Sequence, residues 1–258
     1  MRSRDRKVVD VTGEATPVSD AALPVVIRRL TESKTEPRAR ARLLARLSAL
    51  LAASSRQAGS VAVTTGRWLT DVVLDVAPHI PIRDLETLRR HHDGLAGDEL
   101  ADALIENSSR VTAGIGAGLG VLAAAQWQIP PTLLSAPVQI AAETVAVVAV
   151  ELKLVGELHA VYGQVPPGSS SARAVAYLAA WSRRRGIDPT VDTGVLGEVI
   201  STTAKRQLRN RIVRRTGSSS ATLLPFFAGA IAGGTLNAKA TKRVGQLVAA
   251  DLVRRRRR

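Results

Sequence analysis

Between Val111 and Ala172 the sequence carries only four charged side chains, Glu143, Glu151, Lys153 and Glu157. A stretch this long and this apolar must close on other protein or enter a bilayer, because water penalises its exposure. Composition narrows what it can build. Apolar residues reach 45% of the chain but aromatics only 3%, so the core has to come from Ala, Val, Leu and Ile, which suit helices that approach closely. Apolar positions recur at helical spacing, as at Leu43, Leu44, Leu47, Leu50 and Leu51, with Arg38, Arg42 and Arg46 on another ridge. No alternating run of strand length and no regular repeat occurs. The expected fold is all-α, a multi-helix bundle with closely packed Gly/Ala-rich central helices.

Gly and Pro punctuate the chain. Residues 1–36 read as a flexible lead, with a short helix about 21–30. Residues 37–253 read as the helical domain, and Arg254–Arg258 as a flexible poly-Arg tail. Within the domain one helix stops near Gly59, and the next ends at Pro78 and Pro81. Two short amphipathic helices follow, the first capped by Asp84 and the two parted by Gly94 and Gly97. A helix of about 28 residues leads to Tyr162-Gly163, then one stops at Gly186, then a basic helix follows. One or two helices complete the C-terminal part.

The segment "GIGAGLGVLAAAQWQIPP" places Gly114, Gly116, Gly118 and Gly120 at every second position. That spacing does not fit a dinucleotide loop, and the Gly-Lys-Ser/Thr of a nucleotide-triphosphate loop is absent. On a helix, Gly114 and Gly118 share one face and Gly116 and Gly120 an adjoining one, so a neighbouring backbone can come close. Gly229, Gly233 and Gly234 repeat the device. Each helical glycine costs about 1 kcal/mol, which points to a packing reason. The alternative is a membrane hairpin at 111–150 turning at the double proline. Its first arm is short of the roughly 20 residues a span needs, and Glu143 sits in its second.

Chemistry-bearing residues are sparse. Cysteine is absent, which excludes disulfides, thiol nucleophiles and Cys-ligated metal. Of the four histidines, His91 and His92 adjoin Asp93, but neighbouring helical positions diverge too far to share a metal. His79 lies at a helix end, and His159 reads as a core or rim histidine. Glu143, alone in "VQIAAETVAVV", is the candidate buried acid: if buried it must find a partner such as Lys205, Arg206 or Lys239 or stay protonated, and otherwise it marks an exposed helix edge. No catalytic constellation and no cofactor motif emerges, so the chain is expected not to be an enzyme.

Charge is the strongest functional signal. Of a net +14, residues 181–258 contribute 17 basic groups against 4 acidic ones. Such a block seeks an anionic membrane surface or an acidic protein, with nucleic acid a nonspecific alternative through "AKRQLRNRIVRR". The candidate contact residues are Lys205, Arg206, Arg209, Lys239, Lys242, Arg243 and Arg254, Arg255, Arg256, Arg257 and Arg258. On a helical wheel Lys239, Lys242, Arg243 and Gln246 share one face, and Leu236, Ala240, Val244, Leu247 and Val248 another. Thirty of the 36 basic residues are Arg, a bias that a GC-rich bacterial genome also produces.

Across about residues 95–253 the order of features resembles the EcsC family of bacterial proteins. The likeness rests on the Gly-rich helix, the Tyr162-Gly163 pair and a terminal G-G-x-x-N-x-x-x-T-x-x-V-G pattern at Gly233, Gly234, Asn237, Thr241 and Gly245. The sequence departs from the family where an acidic residue is often found after the double proline, here in the region of Ser135 and Gln139. The resemblance implies a helical protein with no established reaction and an association with membrane or envelope. The expectation is a cytoplasmic helical interaction protein, peripheral at the inner face of the cell membrane. The alternatives are nonspecific nucleic-acid binding and the inserted hairpin.

Overall fold

The computed structural model describes residues 22–33, 35–65, 67–125, 136–184 and 225–257, and the backbone alone for 60–65, 67, 119–125, 136, 137, 139, 140 and 225–233. Helices follow the apolar periodicity: α1 (Ala22–Leu30), α2 (Pro37–Thr65), α3 (Arg67–Val76), α4 (Leu85–His91), α5 (Gly97–Ala125), α6 (Ala136–Val161), α7 (Ser170–Arg184) and α8 (Pro225–Arg256). A 3-10 turn at Ala77–His79 follows α3, and the described residues contain no strand. The protein is an all-α multi-helix bundle.

The ends of these helices have local causes. Asp84 caps α4 by accepting from the Thr87 backbone N–H at 2.7 Å. α2 is interrupted at Gly59, whose φ of 82° and ψ of 161° suit only glycine. Gly163, at φ 68°, closes α6 in a Schellman motif: the Gly163 N–H donates to Ala160 O at 3.2 Å and the Gln164 N–H to His159 O at 2.8 Å. Pro137 enters α6 in its first turn, where the missing N–H has no intrahelical role.

α6 is the spine. Its run from Val145 to Val150 is buried without a break, as are Leu152, Leu154, Val155 and Leu158, so the helix is enclosed by neighbours on all sides. α5 packs most extensively against α8. A Cβ on Gly234 of α8 would lie 2.9 Å from the Ala113 carbonyl oxygen of α5, and one on Gly245 would lie 2.7 Å from Ile105. The two helices are therefore antiparallel and touch backbone to backbone at the upper contact. Gly114 and Gly118 of α5 receive Arg40 and Leu44 of α2, which sets α2 parallel to α5.

Three sequence expectations change. The section 97–125 is one helix, not a short amphipathic helix followed by a separate glycine-rich one. The short helix expected at about 21–30 is present as α1, but it belongs to the bundle and not to a flexible lead, since Val26, Ile27 and Leu30 lie in the core. Arg254–Arg256, assigned to a flexible tail, continue α8. The described parts of 111–150 are turned into the bundle, with Val111, Ile115, Ala141, Ala142 and Val145 buried. No helix among the described residues is long and apolar enough to cross a membrane. Residues 126–135, the turn of the expected hairpin, lie outside the described residues.

Candidate functional site: the outer face of the last helix

The polar residues of the apolar middle are spent on internal ties. Glu151 is fully buried and accepts from Trp181 Nε1 of α7 at 2.7 Å and from Thr241 Oγ1 of α8 at 2.8 Å. Glu157, 2% exposed, receives both arms of Arg83 at 2.7 and 2.9 Å and also Lys153. Burial pulls Lys153 below the ordinary lysine range, against the opposing charge and hydrogen bond of Glu157. Lys153 also donates to Pro81 O at 3.0 Å, which fixes the loop before α4 on α6. Tyr162 donates to Asp98 Oδ1 at 2.8 Å, so the end of α6 is tied to the start of α5. Burial and that acidic neighbour push the phenol well above its usual range.

Glu143 behaves differently from its expected role as the buried acid. It is only half-buried, and it accepts from Asn237 Nδ2 at 2.8 Å. Lys239 is exposed on α8, and Lys205 and Arg206 lie outside the described residues. Among the described residues the deeply buried acids are Glu151 and Glu157, which their sequence context alone did not single out. Their isolation in an apolar run was the available signal, but an α6 enclosed on every side gives no phase to rank them.

The histidines do not converge. His79 is exposed, His91 is exposed and His92 half-buried, and His159 is buried with Nδ1 2.7 Å from Val155 O and its ring edge-on to Tyr177. No group of His, Asp and Glu among the described residues could hold a metal ion.

The basic candidates do converge, on one side of α8. Its inward face is Gly234, Thr241, Val244, Gly245, Val248 and Leu252, all buried. Its outward face carries Lys239, Lys242, Arg243, Gln246, Arg254 and Arg257, all exposed. Two leucines assigned by the wheel to the apolar face belong here instead: Leu236 is 63% exposed and Leu247 38%. The reason is that Gly and Thr, not the largest apolar side chains, make the close contacts with α5 and α6. The helical order Leu236, Lys239, Arg243, Leu247, Arg254 thus forms one exposed line in which leucines are interspersed with cationic groups. Lys242 faces Glu106 at 3.5 Å, and the hydrogen bond from Arg110, helped by this contact, holds Glu106 below the usual carboxylate range. Lys239 and Arg243 have no ion pair among the described residues.

Of the remaining candidates, Arg255 and Arg256 are exposed near the end of α8, while Arg258 and Arg209 lie outside the described residues. Gly116 is buried on α5; Gly120, Gly229 and Gly233 are helical, their surroundings outside the described residues. Comparison with protein-family models, with curated proteins and with solved structures gives no match to this chain.

Proposed function

We propose that the chain is a non-enzymatic helical interaction protein that docks on an anionic membrane surface through the outer face of α8. The observation that carries the reading is the exposed line of Leu236, Lys239, Arg243, Leu247 and Arg254 on a helix whose opposite face is locked into the bundle. A solvated helix face has no need of exposed leucines between its cations. A bilayer interface uses both: the leucine side chains enter the headgroup boundary and the cations meet lipid phosphates. Each cation near such a surface contributes about 1 kcal/mol, screened by salt. On this reading the protein works at the inner face of the cell membrane.

The EcsC-like pattern fits the same proposal as an architectural signature. Gly234, Asn237, Thr241 and Gly245 all face α5 or α6, and their role is to seat α8 so that its other face points outward.

Vesicle cosedimentation tests the proposal. Binding is expected to phosphatidylglycerol-containing vesicles and not to pure phosphatidylcholine, to weaken with salt, and to drop in both Lys239→Glu/Arg243→Glu and Leu236→Ala/Leu247→Ala chains. Equal binding to neutral vesicles, or none to anionic ones, overturns it. Nonspecific nucleic-acid binding is the rival outcome: duplex DNA would then be held with no loss in the leucine variant.

A further inference from the structure

A second cationic feature lies away from the outer face of α8, where α7 crosses its end. There a cavity of about 140 Å³ is lined by residues that include His159, Arg183, Arg184, Asp251, Leu252 and Arg255. Asp251 stands in the middle of the guanidinium groups. Arg184 Nη2 reaches its Oδ2 at 2.8 Å and Arg255 Nη2 at 2.9 Å, while Arg254 Nη2 approaches Oδ1 at 3.5 Å. Burial works against the ionised carboxyl, but the Arg184 hydrogen bond and the surrounding positive charges win, and Asp251 titrates below the usual carboxylate range.

The charges do not balance within this cluster. Among the described residues three arginines line the cavity against one carboxylate, an excess of two positive charges. Each guanidinium has a planar fork of five N–H donors, and Asp251 engages only one Nη of Arg184 and one of Arg255. The donors left over are the type that grips phosphate oxygens in bidentate fashion. His159 adds a further group. Its Nδ1 lies 2.7 Å from the Val155 carbonyl, and a carbonyl only accepts, so Nδ1 carries the proton and Nε2 is the acceptor in the neutral ring. That nitrogen can accept a P–O–H proton.

We propose that this cavity at the α7–α8 crossing binds a phosphate monoester group. The charge matches, since such a group carries about −1.5 to −2 at neutral pH. The size matches too: a cavity of about 150 Å³ takes up benzene, so a phosphate enters while any larger body of the ligand stays outside. The source of the phosphate is either free solute or the headgroup of a lipid such as phosphatidic acid. The inference does not depend on membrane docking by the outer face of α8.

Isothermal titration of the full chain with inorganic phosphate tests it. Saturable binding is expected, weakened about tenfold or more, equivalent to about 1.4 kcal/mol, in Arg183→Gln/Arg255→Gln. Asp251→Asn, which removes the competing carboxylate, is expected to tighten it. Circular dichroism melts of each variant check that the fold persists, and Lys239→Glu/Arg243→Glu, which spares the cavity, is expected to bind phosphate as the parent chain does. Vesicles then separate the sources. At equal surface charge, a preference for phosphatidic acid over phosphatidylglycerol that disappears in Arg183→Gln/Arg255→Gln assigns the lipid headgroup; equal binding of the two assigns the free solute. Absence of saturable phosphate binding together with absence of a phosphatidic acid preference overturns the proposal. So does binding that is unchanged in the folded arginine variant.

Discussion

At the scale of single residues, the glycines separate into two kinds that a sequence cannot distinguish. Gly163 has open space around the position of a Cβ but a φ of 68°, so its requirement is conformational: an L residue in the left-handed region costs about 1–2 kcal/mol. Gly234 has ordinary helical torsions but would press a Cβ to 2.9 Å from the Ala113 carbonyl oxygen, and a backbone atom cannot swing aside. Alanine gains about 1 kcal/mol of helix propensity there, yet overpacking costs about 1–3 kcal/mol, and a rigid backbone contact belongs at the upper end. Urea unfolding is expected to show Gly163→Ala and Gly234→Ala both destabilised by about 1–2 kcal/mol. They differ in what restores stability. Asn at 163 recovers part of the loss, because it tolerates the left-handed region. Asn at 234 makes matters worse, because it is larger. A neutral or stabilised Gly234→Ala would mean that α5 and α8 are not in backbone contact.

At the scale of elements, α6 explains both what the sequence disclosed and what it withheld. Helix existence was legible, since apolar periodicity and Gly or Pro stops placed α4, α6 and α7 close to their observed spans, whereas the stop expected at Gly59 is only a kink and α2 runs on to Thr65. The unity of α5 was not. A charged half and a glycine-rich half look like two elements by composition, but no residue between them breaks the helix, and α2 and α8 supply the packing that offsets its glycines. The rotation of α6 was not legible either, because a helix apolar on every side offers no polar face to orient it. Hence Glu143 stood out by isolation, while the deepest acid among the described residues is Glu151, whose partners include Trp181 and Thr241, 30 and 90 residues away. Those partners predict how Glu151 responds to substitution. In Glu151→Gln the amide oxygen can accept from Trp181, a donor only, while the amide N–H donates to the Thr241 hydroxyl, which can turn to accept. Glu151→Leu strands the indole N–H in the core at about 1–3 kcal/mol. Urea titrations are expected to place Glu151→Gln near the parent chain and Glu151→Leu well below it, with only the latter altering Trp181 fluorescence. Equal losses in both would mean that the carboxylate charge itself, rather than its hydrogen bonds, holds α6, α7 and α8 together.

At the scale of the whole molecule, a net charge of +14 leaves the fold poorly placed to take up further protons, and two histidines sharpen the effect. Burial is the main cause that lowers His159 below the ordinary histidine range. The hydrogen bond to Val155 opposes it, and nearby Arg255 and Arg183 outweigh Asp251. Burial likewise lowers His92, aided by Arg83. A histidine depressed in the folded state gains its proton more readily when unfolded, where its pKa is about 6.5. Stability is therefore fully present above that value and is lost as pH falls through the folded-state pKa values. Carboxylates such as Asp251, held below their ordinary range, add a second loss only at more acidic pH. The melting temperature is thus expected to fall between about pH 7.5 and 5.5, before any carboxylate is involved. His159→Gln should flatten that fall without abolishing it, because His92 still titrates. Circular dichroism melts across this range, at constant ionic strength, provide the check. A melting temperature that rises toward acid, or a slope unchanged in His159→Gln, would show that the fold does not hold His159 below the ordinary histidine range.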